Sequence, residues 1–560
     1  MQTVERLEVS CAELQHPTEE IRTGLFQKLE SKKILLAIFI TLLAFGLRVY
    51  KLDAAGLSED ETNKVFAMRA YERGDFTVNT EHPMLMKLLC LASTRTASLW
   101  NQTAGKQLGL TISEESALRF PNVLFGALTV IPILLLATAL LGFETGIIAS
   151  LFWAFGVNAI WFNRITKEDT LFVFFMLLGF YFYHQAKERL SSDIAGQEKF
   201  YALAGAAFGM MVGSKYFPHY IGLNALFYTL VGYNRCNNRP LTGRMWGKYF
   251  ASLVLTFAAF NWAIFSPQTW RYIRAYTSED LLTHHGYALM DKLFSNDMAD
   301  MPLGNPWYFY LLYLAVKVPL PILVAFVIGL IEIFRHRGDA RVARGYLFLR
   351  MMLIFWFIPM SVIGSKFLRY SLTLMPIIYM VAAVGVMTIW RLLHRYFKPL
   401  QPPATYFAAG ALALIFILTP AFLTINYALP YPGLYTNRLG KNHIGYFFPH
   451  DEFYDLGARE SIRYLAEHAP PNATIASEIP GVVAYYLERF NRRDLRSKIM
   501  SQPQFDLTTG KIDYVILQKG RIYFENQTNF HFVETHFPLA QASRYQGVAA
   551  TEVYQISPSD

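Results

Sequence analysis

The sequence predicts a polytopic α-helical membrane protein with a small α/β domain after its last span. Three observations carry this expectation: apolar stretches near bilayer length recur, basic residues gather in alternate connections between them, and the composition changes after Tyr427. Of 560 residues, 53% are hydrophobic, 16% aromatic and only 17% charged. So little polar surface cannot solvate one large soluble body, and a bilayer must supply much of the solvent.

A spanning helix needs roughly 20 mostly apolar residues to satisfy its backbone within hydrocarbon. The first candidate, Ile34 to Val49, follows Lys32 and Lys33. A polar leader containing Glu5, Glu8, Glu19 and Glu20 precedes it, so it reads as an uncleaved anchor and not as a signal peptide. The others are Phe120 to Leu141, Gly146 to Phe162, Thr170 to Tyr183, Tyr201 to Val212, Tyr220 to Tyr233, Tyr249 to Phe265, Trp307 to Phe334, Tyr346 to Ile363, Tyr370 to Trp390 and Tyr406 to Tyr427. About eleven spans result.

A net charge of +9 raises the question of nucleic acid, but the basic residues are placed to set orientation instead. Arg235, Arg239, Arg244 and Lys248 share one connection, Arg335, Arg337, Arg341 and Arg344 the next alternate one, and Arg391, Arg395 and Lys398 the one after. By the positive-inside rule these connections and the N-terminus are cytoplasmic. The expected organisation is a cytoplasmic segment 1–33, a transmembrane domain 34–428 with long outer loops 51–119 and 266–306, and an outer domain 429–560. Short outer turns fall at 163–169, 213–219 and 364–369.

Within the first outer loop, Pro83 to Leu99 is apolar but interrupted by Lys87 and Arg95, which suits a helix lying on the membrane surface. In the outer domain Ser461 to Glu467 reads as helix, and Ala473 to Ala476, Tyr514 to Gln518 and His531 to Glu534 read as strands. Cys11 and Cys236 fall inside and Cys90 outside, so no structural disulfide is expected.

The outer connections carry ionisable groups that are costly at membrane depth and are therefore functional candidates. Glu59, Asp60 and Glu61 follow the first span, and read either as a solvated acidic loop or as a general base beside a sugar-phosphate site. In Arg164-Ile-Thr-Lys-Glu-Asp169, Arg164 and Lys167 suit interface snorkelling; Asp169 suits a helix-dipole cap, yet needs a partner in apolar surroundings. Lys215, Lys366, Arg369 and Tyr370 stand at outer boundaries, against the positive-inside trend. Lipid headgroups explain one such cation; a lipid-linked phosphate explains several convergent ones. His82 with Lys87, and His284 with His285, suit acceptor or phosphate contacts better than metal, because adjacent histidines diverge.

Taken in order, these stretches resemble the protein O-mannosyltransferase family (glycosyltransferase family 39) and its relatives among the C-type membrane glycosyltransferases that use polyprenyl-linked donors. Asp60-Glu61 is similar to the family's acidic pair, and Glu81 to Leu89 to its His-Pro-Pro-Leu-x-Lys-Leu segment, with Met84 in place of the second proline. Arg119-Phe-Pro-Asn resembles its Arg-x-Pro opening of the second span, and Arg164 to Asp169 the segment with its second aspartate. Asn305 to Tyr310 resembles the Pro-Trp-Tyr-Tyr-Tyr start of a span, and Lys366 to Pro376 the Lys-Phe-x-Arg-Tyr motif; together these cover most of Leu52 to Pro376. The lipid A aminoarabinose transferase shares the same general plan.

The resemblance implies an inverting transfer of a sugar, mannose or a similar hexose, from a polyprenyl or dolichyl phosphate to an acceptor hydroxyl, a protein Ser/Thr, on the outer face of a plasma, inner or endoplasmic reticulum membrane. It implies Asp60, Glu61 and Asp169 as catalytic carboxylates. Lys215, Arg369, Tyr370, Lys87 and Arg164 would meet the donor phosphate, and His82, Arg119, His284 and His285 acceptor or sugar. The resemblance implies no certain cofactor, and a divalent metal on Asp60 and Glu61 stays open. Besides the membrane lipids, the expected partners are the donor lipid and a protein or glycolipid acceptor, not nucleic acid. A glycolipid or polysaccharide transferase of the aminoarabinose type is the alternative. A lipid transporter fits less well, because the charges gather at one face.

Overall fold

The structure is a computed structural model that describes residues 25–189, 192–231, 241–277, 285–297, 300, 304–335, 340–396, 402–441, 443–502, 505, 507 and 511–556. The expectations for Cys11, Cys236 and His284, for Arg235, Arg239, Arg337 and Lys398, and for the acidic leader lie outside the described residues.

Each of the eleven apolar stretches is helical over most of its length. Among the described residues, four helices are long and apolar enough to cross a membrane: Glu114–Leu141, Val342–Val362, Met375–Arg395 and Ala404–Ala428. A fifth results if Phe143–Phe155 and Val157–Asn163, bent by 57° at their junction, form one span. Eleven crossings therefore remain an expectation from sequence. Outward-facing side chains along these helices are apolar, with Tyr406 and Phe407 77% and 79% exposed, as a lipid-facing surface requires.

Two helices approach each other through glycine. A Cβ on Gly205 or Gly209 of Ile194–Ser214 would collide with the carbonyls of Tyr249 and Leu253 on Gly243–Phe260. This small-xxx-small pattern lets backbones pack closely where lipid offers no hydrophobic drive. Gly205→Val is expected to cost at least about 1–3 kcal/mol, seen as a lower thermal transition of the purified protein.

Two arginines lock the first helix to the bent pair. The break at Gly156 leaves helix carbonyls without partners. Arg48, fully buried, donates to the carbonyls of Trp153 and Ala154 at 2.9 and 3.2 Å and to Asn163 Oδ1 at 2.9 Å. Reciprocally, Arg164 donates to the carbonyls of Arg48, Tyr50 and Lys51 at 2.8, 2.7 and 3.0 Å, capping the end of Leu25–Val49. The turn after Asn163 is thereby held beside the start of the first outer loop.

That loop carries helices Glu59–Tyr71 and Leu85–Gln102, the second matching the predicted surface helix. A small hairpin, β1 (Tyr287–Leu289) and β2 (Lys292–Phe294), lies in the second long outer loop. The C-terminal region folds on a five-stranded sheet of β3 (Thr474–Ser477), β4 (Arg496–Ile499), β5 (Tyr514–Gln518), β6 (Leu539–Tyr545) and β7 (Val548–Gln555). The strand order is β4-β3-β5-β7-β6; β3 runs parallel to β4 and β5, and β7 antiparallel to β5 and β6. Helices Ala458–His468, Pro480–Arg489 and Gln527–His536 accompany it.

The predicted strand His531 to Glu534 is instead part of helix Gln527–His536. Its two buried positions are Phe530 and Val533, three residues apart, which is helical spacing. A four-residue window beginning at His531 hides that period.

Lys317 docks the linker to this domain, donating to the carbonyls of Gly433 and Tyr435 at 3.1 and 2.9 Å and pairing with Glu452 at 3.1 Å. The linker is thus fixed against the helix Phe309–Lys317.

Candidate active site

Ser58-Glu-Asp-Glu61 opens helix Glu59–Tyr71 as a capping box, with Glu61 accepting from the Ser58 N–H at 3.0 Å. The box decides which carboxylate is available. Glu61 turns inward, where Arg119 grips both its oxygens at 2.8 and 2.7 Å and the Thr166 N–H adds a bond at 3.0 Å. Asp60, next on the helix, turns the other way and stays 30% exposed.

Around Asp60 the structure gathers groups from four parts of the chain. Lys167, from the turn fixed by Arg164, pairs with Oδ1 at 2.7 Å. Tyr454, from the C-terminal region, donates to Oδ2 at 2.6 Å. Arg369, on the short helix Leu368–Thr373, stands 3.8 Å from Oδ2. Asp169, first residue of Asp169–Glu188, pairs with Lys215 at the end of Ile194–Ser214 at 2.7 Å. Lys215 also lies over the Tyr370 ring, 4.5 Å from its centre. Lys167, Asp169, Arg369 and Tyr454, with Phe162 and Ile165, line a small cavity of about 10 Å³.

Burial alone would raise the Asp60 carboxyl, but Lys167, Arg369 and Lys64 hold it well below the usual carboxylate range. The site therefore sets three cations, Lys167, Lys215 and Arg369, against two carboxylates, Asp60 and Asp169, which leaves positive charge in excess beside a cavity. A ligand phosphate can take over those cations as a charge-assisted partner.

A second cluster adjoins it. Lys64, one turn beyond Asp60, pairs with Glu168 at 2.9 Å, both side chains 1% exposed, and His82 lies 4.0 Å from Glu168. Burial, reinforced by Lys64 and Lys167, pushes the His82 imidazole well below its ordinary value, so it is neutral at physiological pH.

Several sequence candidates have other work. Glu61 and Arg119 form a buried structural pair, and Arg119 further binds the carbonyls of Leu52, Ala55 and Gly56 at 2.9, 2.9 and 2.6 Å. With Glu61's oxygens saturated and turned from Asp60, the two do not converge on a metal. Among the described residues no group of three His, Cys, Asp or Glu is placed to hold one. Arg164 is a helix cap, neither a phosphate ligand nor a snorkelling side chain. Lys87 is fully buried and bound to the carbonyls of Asn79 and His82; burial pushes it down to about 7, a poor phosphate anchor. His285 pairs with Glu525 at 2.8 Å, joining the outer loop to the C-terminal domain. Lys366 binds the carbonyls of Asn305 and Ile363. Lys167, Lys64, Glu168 and Tyr454 were not among the sequence candidates.

Arg119→Met is expected to destabilise the fold by about 3–5 kcal/mol, since it strands Glu61 as a buried charge. Adding Glu61→Gln should restore part of the loss in the same thermal melt, the mark of a structural pair.

A family model described as dolichyl-phosphate-mannose-protein mannosyltransferase matches residues 98–264, a range that holds Arg119, Lys167, Asp169 and Lys215. No curated protein matches the chain. Among solved structures, the archaeal oligosaccharyltransferase AglB from Archaeoglobus fulgidus, in complex with an inhibitory peptide and a dolichol-phosphate, superposes with a TM-score of 0.51 at 11% identity. That match covers 95% of this chain and 75% of the other. ArnT from Cupriavidus metallidurans bound to undecaprenyl phosphate gives a TM-score of 0.48 at 13% identity, covering 94% of this chain and 98% of the other. The chain has the membrane-embedded GT-C fold.

Proposed function

We propose that this protein is a glycosyltransferase that moves a sugar, mannose or a similar hexose, from a polyprenyl phosphate to an acceptor hydroxyl, a protein Ser/Thr, on the outer membrane face. The observation that carries the reading is the meeting of separate connections at one small cavity: Lys167, Asp169 and Arg369 line it, Asp60 pairs with Lys167 and Arg369, and Lys215 pairs with Asp169. Cations gathered where several connections between the apolar helices meet suit a lipid-linked phosphate, and an ionised carboxylate beside them suits a base.

The chemistry is a single displacement. The acceptor oxygen attacks the anomeric carbon, the bond from that carbon to the phosphate oxygen breaks, and the polyprenyl phosphate leaves with the electron pair. Asp60 takes the acceptor proton. Lys215, Arg369 and Lys167 stabilise the charge that grows on the departing phosphate. Asp169 holds Lys215 in place through their 2.7 Å bond.

Donor binding also tunes the base. In the unliganded site three cations depress Asp60. A bound phosphate neutralises their field and adds negative charge, so the carboxyl rises toward working pH, where a general base is more effective. The acid limb of kcat, which reports the complex, is therefore expected at higher pH than that of kcat/KM, which reports the free enzyme. Coincident limbs in steady-state profiles would contradict this.

The testing experiment combines purified protein with a panel of polyprenyl phosphate sugars and separate peptide and glycolipid acceptors, with and without chelator. Transfer to peptide supports the reading as stated, and transfer only to glycolipid supports the aminoarabinose-type alternative. Absence of transfer from every polyprenyl donor overturns both.

A further inference from the structure

The C-terminal domain reaches the proposed base, and the contact is built with unusual backbone. Helix Pro449–Phe453 ends in Tyr454 and Asp455, both in the left-handed region with φ of 45° and 62°. Consecutive non-glycine residues there are costly and persist only where the surroundings over-determine them.

Here the surroundings are an ion-pair clamp. Arg521, just past β5, donates to both Asp455 oxygens at 2.8 and 2.7 Å, and Gln518 adds a bond at 3.0 Å. Asp455 accepts from the Glu59 N–H at 2.9 Å, and Arg521 pairs with the Glu59 carboxylate at 2.7 Å. The clamp grips the first helical turn one residue before Asp60. Tyr454, held in the strained turn, then places its hydroxyl 2.6 Å from Asp60 Oδ2. The same ring lines that small cavity and a neighbouring one of about 70 Å³ bordered by the linker residues Pro430 to Leu434.

We infer that Tyr454 is a positioning residue for the transfer reaction, supplied by the C-terminal domain to fix the Asp60 carboxylate and steady its ionised form. The inference rests on Asp60 acting as the base. Lys167 holds Oδ1 at 2.7 Å, whereas Arg369 stands 3.8 Å from Oδ2, so without the tyrosine Oδ2 keeps only that longer ionic contact and loses its hydroxyl donor. The other charged or titratable groups facing Asp60 are Glu59 and Lys64 on its own helix, His82 in the loop and Arg369 on its short helix. Among the described residues none of these makes a hydrogen bond to Oδ2, which Tyr454 does.

The test is Tyr454→Phe, which keeps the ring and removes one hydroxyl. Losing a hydrogen bond to a charged group is expected to lower kcat about tenfold, with KM for the donor within about twofold, since that bond touches no phosphate. Because the lost bond favoured the ionised form, the acid limb of kcat should move to higher pH. Unchanged kcat and an unchanged limb overturn the inference. Should the variant fail to fold, Arg521→Gln retains the tyrosine but releases its turn and must move the limb in the same direction; a folded Arg521→Gln with the wild-type profile overturns it equally. Full activity of Asp60→Asn would instead remove the base itself. The failure of the inference is thus distinct from that of the functional reading.

Discussion

Asp60→Asn is expected to lower the transfer rate by about 10²–10⁴-fold, the range lost with a general base, while the protein still folds and binds its donor. The substitution preserves shape: the amide oxygen can accept from Lys167 in place of Oδ1, and the amide N–H can donate to the Tyr454 hydroxyl oxygen in place of Oδ2. The carboxylate is partly exposed and touches three different elements, so it is not a keystone of the core. Single-turnover transfer, with donor binding measured in parallel by thermal shift, separates the two effects. Loss of transfer with retained binding supports the base; loss of both would point to folding or binding.

Arg369→Gln should give the second largest effect, about 10²–10³ in kcat, as expected when a preorganised partner of developing charge is removed. The guanidinium stands at the cavity, 16% exposed, beside Asp60, with its face over the Phe367 ring 4.2 Å away. Stacking fixes its direction without occupying its donors. Arg369→Lys should recover only part of the rate, because an ammonium offers a point charge where the guanidinium offers a planar fork. A glutamine variant with wild-type kcat would exclude Arg369 from the phosphate site.

Much of this was legible in the sequence. Each of the eleven apolar stretches is helical over most of its length, because burial in lipid imposes a long, one-dimensional signal. The outer connections gave Asp60, Asp169, Lys215 and Arg369, and the structure brings these four together. Glu61 was also legible but was read for its charge: Ser58-x-x-Glu61 is a capping box, and that local signal already committed the glutamate to its own helix start. Arg164 and Lys167 stand three residues apart in one turn, yet one caps a helix and the other meets Asp60. Composition could not divide those roles, because each partner lies more than a hundred residues away.

The C-terminal contributions were hidden for the same reason. Nothing local in Phe-Tyr-Asp-Leu-Gly reveals two left-handed residues, since the conformation is imposed by Arg521 and Glu59 from distant segments. Strands β6 and β7 escaped notice because their polar and apolar residues do not alternate cleanly, and β-bulges shift the register between them.

The most direct test of the central claim measures two products of one reaction: sugar on the acceptor and free polyprenyl phosphate, in wild type and in Asp60→Asn. The account predicts that both appear in equal amounts with the wild type and that both fall together in the variant. Sugar transfer without release of polyprenyl phosphate, or full release and transfer by Asp60→Asn, would contradict it.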